Sequence, residues 1–327
     1  MRGGLGNDTI HGGLGNDYIY GGPGSDVFLA DNISGTDDGN DFFDGDGDGA
    51  THSIEIDVLS YLDLSFYVTV DLSITSGQTT NAGGFDTIRN IEKLVGTNFA
   101  DRLYGSDANE RIDGMNGVDD IRGGNGLDKL YGGGGKDKVT GGGGNDKLYG
   151  GVDNDKVYGE DGADKLYGEA GDDSLDGGVE NDTLYGGAGN DTLKGGISGA
   201  DKLYGEAGDD KLYGGAGKDS MDGGTGKDSF YFTNALTSGN RDIISNYKVA
   251  DDTIKLSKSI FKALGSSVTS DEFYKGTGAH DGTDHIIYNK STGALIYDAN
   301  DNAPGGNVVF AYIDINLSLT YKDFEIV

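Results

Sequence analysis

The chain has 327 residues, with 62 Gly, 2 Pro, no Cys, no Trp and a formal net charge of -31. That acidity argues against nucleic acid or anionic membrane as partners of the whole surface, and the lack of Cys excludes a disulfide framework and thiolate metal sites. No apolar run approaches the roughly 20 residues that span a bilayer, and so Gly-rich and charged a chain ordinarily stays disordered unless something neutralises it.

Residues 3–29 hold three copies of a nine-residue unit, Gly3–His11, Gly12–Tyr20 and Gly21–Leu29. The N-terminus runs straight into the first copy, with no apolar leader and no capping element. An open edge of that kind is expected of a piece of a longer protein, or of a gene product that once carried an N-terminal domain. Residues 30–95 are less regular, with an acidic stretch at Asp37–Gly49 and then short strand-like runs at Asp57–Tyr61, Val68–Leu72 and Asp86–Ile88. We read them as irregular coils of the same solenoid, with insertions; Asp86-Thr87-Ile88, Lys93-Leu94-Val95 and Asp101-Arg102-Leu103 are its successive inward-pointing strands.

From Gly96 to Tyr231 the unit recurs about fifteen times, as in Gly141-Gly142-Gly143-Gly144-Asn145-Asp146-Lys147-Leu148-Tyr149, with one extra residue within Gly195–Asp201. The pattern is Gly-Gly-x-Gly-x-Asp-x-U-x, where U is large and apolar, and so short a period sets the architecture before any propensity is weighed. Six positions form turns and three form strand, so U points inward and its neighbours point outward. The inward series runs Leu103, Ile112, Ile121, Leu130, Val139, Leu148 and so on to Met221 and Phe230, with no polar member. Two copies make an 18-residue coil, and coils stack at about 4.8 Å. After Tyr231 the period stops. Residues 232–327 read as a compact β-rich cap, with a short helix at Ser257–Leu264, a hairpin of His285–Tyr288 with Ala294–Tyr297, and a strand at Val308–Tyr312.

Stacking sets each sixth-position Asp above its equivalent 18 residues on. Asp119, Asp137, Asp155, Asp173 and Asp191 form one row, and Asp128, Asp146, Asp164 and Asp182 form the other. Asp8, Asp17, Asp26, Asp101, Asp201, Asp210, Asp219 and Asp228 occupy the same repeat position. Carboxylates in such rows repel unless cations separate them. Oxygen donors in a glycine-rich turn suit calcium better than a transition metal. Between Asp101 and Asp228, with Glu110 in place of one Asp, the rows offer about 12 sites for Ca2+, enough to bring the charge to about -7.

The nonapeptide resembles the repeats-in-toxin (RTX) family of type 1 secreted proteins. The resemblance implies an all-β, right-handed parallel β-roll (β-solenoid) with a C-terminal β-rich cap. It implies calcium ions held between adjacent turns by two Asp carboxylates and glycine carbonyls. Divided accordingly, the chain is a short repeat block (1–29), irregular solenoid coils with an acidic insertion (30–95), the main roll (96–231) and a cap with a type 1 secretion signal (232–327). Asp242–Tyr247, Asp251–Leu256 and Asp323–Val327 are similar in style to the family's end domain. The resemblance further implies a secreted, extracellular or cell-surface protein whose uncleaved C-terminus is read by a type 1 secretion apparatus, and which folds on calcium after export.

Three weaker signals remain. Asp44-x-Asp46-x-Asp48-Gly49 with Glu55 fits a calcium-loop spacing, but Thr51 stands where an apolar residue belongs and neither flank reads as helical; an enlarged repeat turn is the plainer reading. Tyr131, Tyr149, Tyr167, Tyr185 and Tyr204, flanked by Lys129, Lys147, Lys165 and Lys202, form a strip on one outer face. It reads either as sheet-stabilising stacked Tyr or as a binding strip for acidic polysaccharide or a cell-surface matrix. His11, His52, His280 and His285 are scattered, and no H-E-x-x-H, G-x-S-x-G, P-loop or Cys/His pair occurs. No catalytic residue is therefore assigned, and any catalytic domain would lie upstream.

Overall fold

The computed structural model describes residues 1–30, 39–46, 55–80, 85–300 and 306–327. The chain forms two compact units, Met1–Asp161 and Gly162–Val327. In both, short parallel strands wind as a β-roll around buried apolar side chains, one file from each sheet.

In the first unit one sheet runs in the order Thr9–His11, Val27–Leu29, Val58–Ser60, Lys93–Val95, Arg111–Asp113, Lys129–Gly134 and Lys147–Val152. Its neighbours are parallel, with Ile10 beside Phe28, Leu59 beside Leu94 and Leu130 beside Leu148. The opposite face is split. Tyr18–Tyr20, Phe42–Asp44 and Thr87–Arg89 form one three-stranded sheet, while Thr69–Asp71, Arg102–Tyr104, Asp120–Asn125, Lys138–Gly143 and Lys156–Asp161 belong to another. An insertion causes the split: Thr69 donates to the Thr80 carbonyl, and Gln78 and Asp86 exchange backbone hydrogen bonds.

The second unit carries the repeat onward in two sheets. One includes Lys165–Ala170, Thr183–Ala188, Lys202–Ala207, Ser220–Asp222 and Asp242–Ser245, then Asn307–Tyr312, Ala294–Asp298, Ile286–Tyr288 and Phe273–Lys275. The other runs Ser174–Val179, Thr192–Gly196, Lys211–Tyr213, Ser229–Phe232, Thr253–Leu256 and Phe324–Ile326. The extra residue within Gly195–Asp201 is absorbed in a turn: Leu184 still pairs with Leu203, 19 residues on. The expected hairpin is present, with Ile286 opposite Tyr297 and Tyr288 opposite Leu295.

The inward series is the core. Leu103, Ile112, Ile121, Leu130, Val139, Leu148 and their successors through Phe230 are fully buried. Two expectations differ from the structure. The strands of the regular coils are six residues long, not three, because the ladder continues around the corner: after Tyr131–Tyr149, Gly133 pairs with Gly151. Identical turns on successive coils keep the same backbone spacing, so turn N–H and C=O groups find partners too. Glycine eases the crowding at such a corner. At Gly135, φ is 127°, and a Cβ would collide with the carbonyl oxygen of Gly117.

Ser257–Leu264 is not a helix. Ile260 and Phe261 donate to the Ser257 carbonyl and Leu264 donates to the Phe261 carbonyl, giving linked turns. Eight residues are too few to pay for helix nucleation, and the turns bury both Phe261 and Leu264.

Candidate metal centre

Each sixth-position Asp begins a strand edge, two residues before an inward apolar side chain. Its carboxylate lies against the turn and is buried: Asp119, Asp128 and Asp137 are each 2 % exposed, and Asp182, Asp191, Asp201 and Asp210 each 1 %.

One oxygen of each carboxylate has a constant task. Oδ1 accepts the backbone N–H of the equivalent residue one coil earlier. In the first unit Glu110 N donates to Asp128 Oδ1 and Asp128 N to Asp146 Oδ1, both at 2.8 Å. On the other edge Asp101 N donates to Asp119 at 2.7 Å, then Asp119 to Asp137 and Asp137 to Asp155 at 2.8 Å. In the second unit the chains run Asp164 to Asp182, Asp201, Asp219 and Asp242, and Asp173 to Asp191, Asp210, Asp228 and Asp252.

The second oxygen is buried without a hydrogen-bond partner. This holds for Oδ2 of Asp8, Asp17, Asp26, Asp119, Asp128 and Asp137, and of Asp182, Asp191, Asp201, Asp210, Asp219 and Asp228. It faces another oxygen. A Cβ placed on Gly114 would lie 2.6 Å from Asp119 Oδ2 and 2.6 Å from the Gly132 carbonyl oxygen of the next coil. The same cradle recurs at Gly3, between Asp8 and Gly21, and at Gly205, between Asp210 and Gly223. A buried anion beside a carbonyl oxygen, with no donor, is costly unless a cation or a proton joins them.

The titration of these groups reports the same cost. Burial is the largest cause in each case; it is opposed by the backbone hydrogen bond and reinforced by the next carboxylate in the row. Asp119 and Asp182 are pushed up to about 8, and Asp128, Asp191, Asp201 and Asp210 to about 7. Orphaned carboxylate oxygens, glycine carbonyls and no nitrogen or sulfur form a donor set that fits a hard divalent cation such as calcium.

Asp101 differs from the other predicted ligands. Thr97 replaces the second glycine of that copy; its N–H donates to Asp101 Oδ2 at 2.6 Å and its hydroxyl to Oδ1 at 3.0 Å. Conversely, several carboxylates outside the period join the rows. Asp17 N donates to Asp41, and Asp41 N to Asp86. Asp26 N donates to Asp57, and Asp57 N to Glu92. Asp242 and Asp252 extend the rows of the second unit. Their signal is a carboxylate two residues before an inward apolar residue: Asp41-Phe42-Phe43, Asp57-Val58-Leu59, Asp86-Thr87-Ile88, Glu92-Lys93-Leu94, Asp242-Ile243-Ile244 and Asp252-Thr253-Ile254.

The acidic Asp44–Glu55 stretch falls partly outside the described residues, since 47–54 are not among them. Asp44 itself ends a strand, and its Oδ1 accepts from Asn90 Nδ2 at 2.8 Å. His280, Asp281 and Asp284 bring ligand atoms within 4.8 Å of one another. Asp284 Oδ2, however, accepts the N–H groups of His280 and Asp281, and Asp281 Oδ1 accepts from Thr283, so this cluster caps a turn.

In the tyrosine strip the rings stack on one another. Tyr131 and Tyr149 lie 4.7 Å apart at 7°, Tyr167 and Tyr185 5.0 Å apart at 3°, and Tyr185 and Tyr204 5.0 Å apart at 12°. Arg111 and Lys129 sit over Tyr131. The ring faces are turned to each other, which is the sheet-stabilising arrangement.

The pattern behind these rows matches the RTX calcium-binding nonapeptide repeat (4 copies) over residues 1–28, 90–121, 113–148, 140–175, 149–184, 167–197 and 195–230, more than half of the chain. The chain belongs to the RTX calcium-binding repeat family. Its repeats bind Ca2+, and its parallel β-roll is the fold that aligns them. Among solved structures, the AlgE6R3 subunit of the Azotobacter vinelandii mannuronan C5-epimerase is similar at 22% identity, covering 45% of this chain and 77% of that one with a TM-score of 0.31. Comparison with curated proteins finds no match.

Proposed function

We propose that this RTX chain is a calcium-driven folding element of an exported protein. One observation supports the reading most: the second carboxylate oxygens of Asp119, Asp128, Asp137, Asp182, Asp191, Asp201 and Asp210 are buried with no hydrogen-bond partner beside glycine carbonyls. When calcium is low, the rows repel, and one apolar residue in nine cannot offset the entropy of ordering the chain. The chain then stays expanded, a form suited to threading through a type 1 secretion apparatus that reads its C-terminus. Outside the cell, calcium neutralises the rows. Asp119, Asp128, Asp137, Asp182, Asp191, Asp201 and Asp210 would hold it together with glycine carbonyls such as those of Gly132, Gly141 and Gly214. Extracellular modules bind calcium at roughly 10⁻⁴–10⁻³ M, which matches that switch. Among the described residues, no helix is long and apolar enough to cross a membrane.

The test is a calcium titration followed by far-UV circular dichroism, with EGTA reversal and magnesium as control. A coil-to-β transition driven by calcium alone is expected. A spectrum already β-rich in EGTA and indifferent to calcium would end the folding-switch reading.

A further inference from the structure

In the regular copies the second residue of the turn has positive φ. Gly124 and Gly133 stand at 108° and 107°, and the sign is kept where another residue replaces glycine, as at Met115 (80°) and Glu206 (73°). This conformation goes with an N–H that leaves for the next coil. Gly4 N donates to the Gly21 carbonyl, and Gly22 N to that of Gly45. The row carboxylate four residues on then keeps a buried Oδ2 with no hydrogen-bond partner: Asp8 after Gly4, Asp26 after Gly22, Asp119 after Met115 and Asp210 after Glu206.

Thr97 and Lys248 hold the same turn position without positive φ. A β-branched residue such as Thr97 avoids that region on steric grounds. In both turns the N–H goes back to the chain's own carboxylate four residues later: Thr97 N donates to Asp101 Oδ2 at 2.6 Å, and Lys248 N to Asp252 Oδ2 at 2.8 Å. The other oxygen is taken as well. Asp101 Oδ1 accepts from Val68 N at 2.7 Å and from the Thr97 hydroxyl at 3.0 Å, and Asp252 Oδ1 accepts from Asp228 N at 3.1 Å. Lys248 also brings a cation of its own, since its ammonium donates to the Gly224 carbonyl, four residues before Asp228.

We infer that the second turn residue decides whether a row Asp takes calcium, and that Thr97 and Lys248 are positioning residues that keep Asp101 and Asp252 free of it. A buried carboxylate whose two oxygens already accept N–H and O–H groups is satisfied without an ion. The amide hydrogen on Oδ2 also repels a cation approaching that oxygen. The donors around Asp101 therefore do not fit calcium, although the residue stands at the repeat position of a ligand. Each unit thus has a row member that the chain itself satisfies. The inference rests on the calcium reading of the regular rows and sets a boundary to them.

The experiment is a calorimetric count of the calcium bound by the full chain, with circular dichroism at each end point to confirm that the coils are folded. T97G and K248G give the two turns the residue of the regular copies, and each should bind one ion more than wild type. T97G/D101N should lose that ion again. D101N alone should keep the wild-type count, whereas D128N loses an ion. A count that falls in D101N with its β signal intact, or a glycine variant that gains no ion, overturns the inference. A wild-type chain that binds no calcium would instead sink the folding-switch proposal itself, so the two failures are distinguishable.

Discussion

At the residue scale, the two oxygens of a row Asp such as Asp128 differ. Its Oδ2 is buried without a hydrogen-bond partner, while its Oδ1 holds a neighbouring coil through the Glu110 N–H. Asn separates these roles, since its carbonyl can keep the N–H bond while its amide donates to the glycine carbonyl beside it. D128N is therefore expected to lower the calcium stoichiometry in calorimetry and to leave the remaining calcium-driven transition in place. An unchanged stoichiometry would show that Asp128 holds no ion. The inward residues are simpler. Leu130 is fully buried in the file its sheet gives to the core, and L130A should cost about 3 kcal/mol in calcium-saturated denaturant melts.

At the element scale, each strand is too short to stand alone and gains its stability from identical neighbours. The stacked tyrosines contribute to this on the solvent side. Removing the middle ring, Y185S, breaks two stacks and should cost about 1 kcal/mol, measured as a shift of the denaturation midpoint with calcium binding unchanged. Corners obey a different rule. Glu160, Glu169 and Glu206 hold positive φ, at 75°, 75° and 73°, where most copies have glycine, so the turn tolerates a side chain there when it points outward. Asp153 and Glu180 take the place of Gly135 in their own units, also at positive φ (75° and 76°), so this corner accepts a side chain where the backbone adjusts. At Gly135 itself, with φ at 127° and the Gly117 carbonyl close, the β-branched substitution G135V should shift the calcium midpoint upward.

At the scale of the whole molecule, pH and calcium oppose each other. In the folded chain without calcium, burial pushes Asp57, Asp128 and Asp191 up to about 7 and Asp119 and Asp182 up to about 8, from 3.8 unperturbed. Folded pKa values above the unfolded ones mean that the folded state binds more protons. The resulting stability is fully present below the unfolded value and is lost as pH rises through about 6 to 8. In chelator the β signal should be stronger at pH 5 than at pH 8, while in calcium acid should weaken binding, because the ligands must be ionised. Equal β content at both pH values in chelator would contradict the burial of these rows. Within the second unit, Phe232 packs edge-on against Phe310 at 5.1 Å, and Phe230 against Tyr247 at 5.9 Å. If the end of the chain nucleates folding there, F232A should move the calcium midpoint upward; an unchanged midpoint would assign nucleation elsewhere.

The sequence by itself determined the roll. One apolar residue in nine, with turn residues between, admits only a coil whose apolar file faces inward, and that periodicity places the repeat Asp residues in rows. The hairpin at Ile286–Tyr297 was legible for the same reason, since local alternation and a turn glycine suffice. The eight residues from Ser257 were misleading because helix-like spacing over so short a span serves a pair of turns equally well. Only the tertiary structure decided which carboxylates outside the period join the rows. Asp41, Asp57, Asp86 and Glu92 are brought there by hydrogen bonds across 24 to 45 residues, and no local spacing encodes a contact of that kind. It also decided which oxygen of each carboxylate is left for a cation, and where an insertion splits one face of the first unit, because both depend on the neighbouring coil rather than on the residue's own.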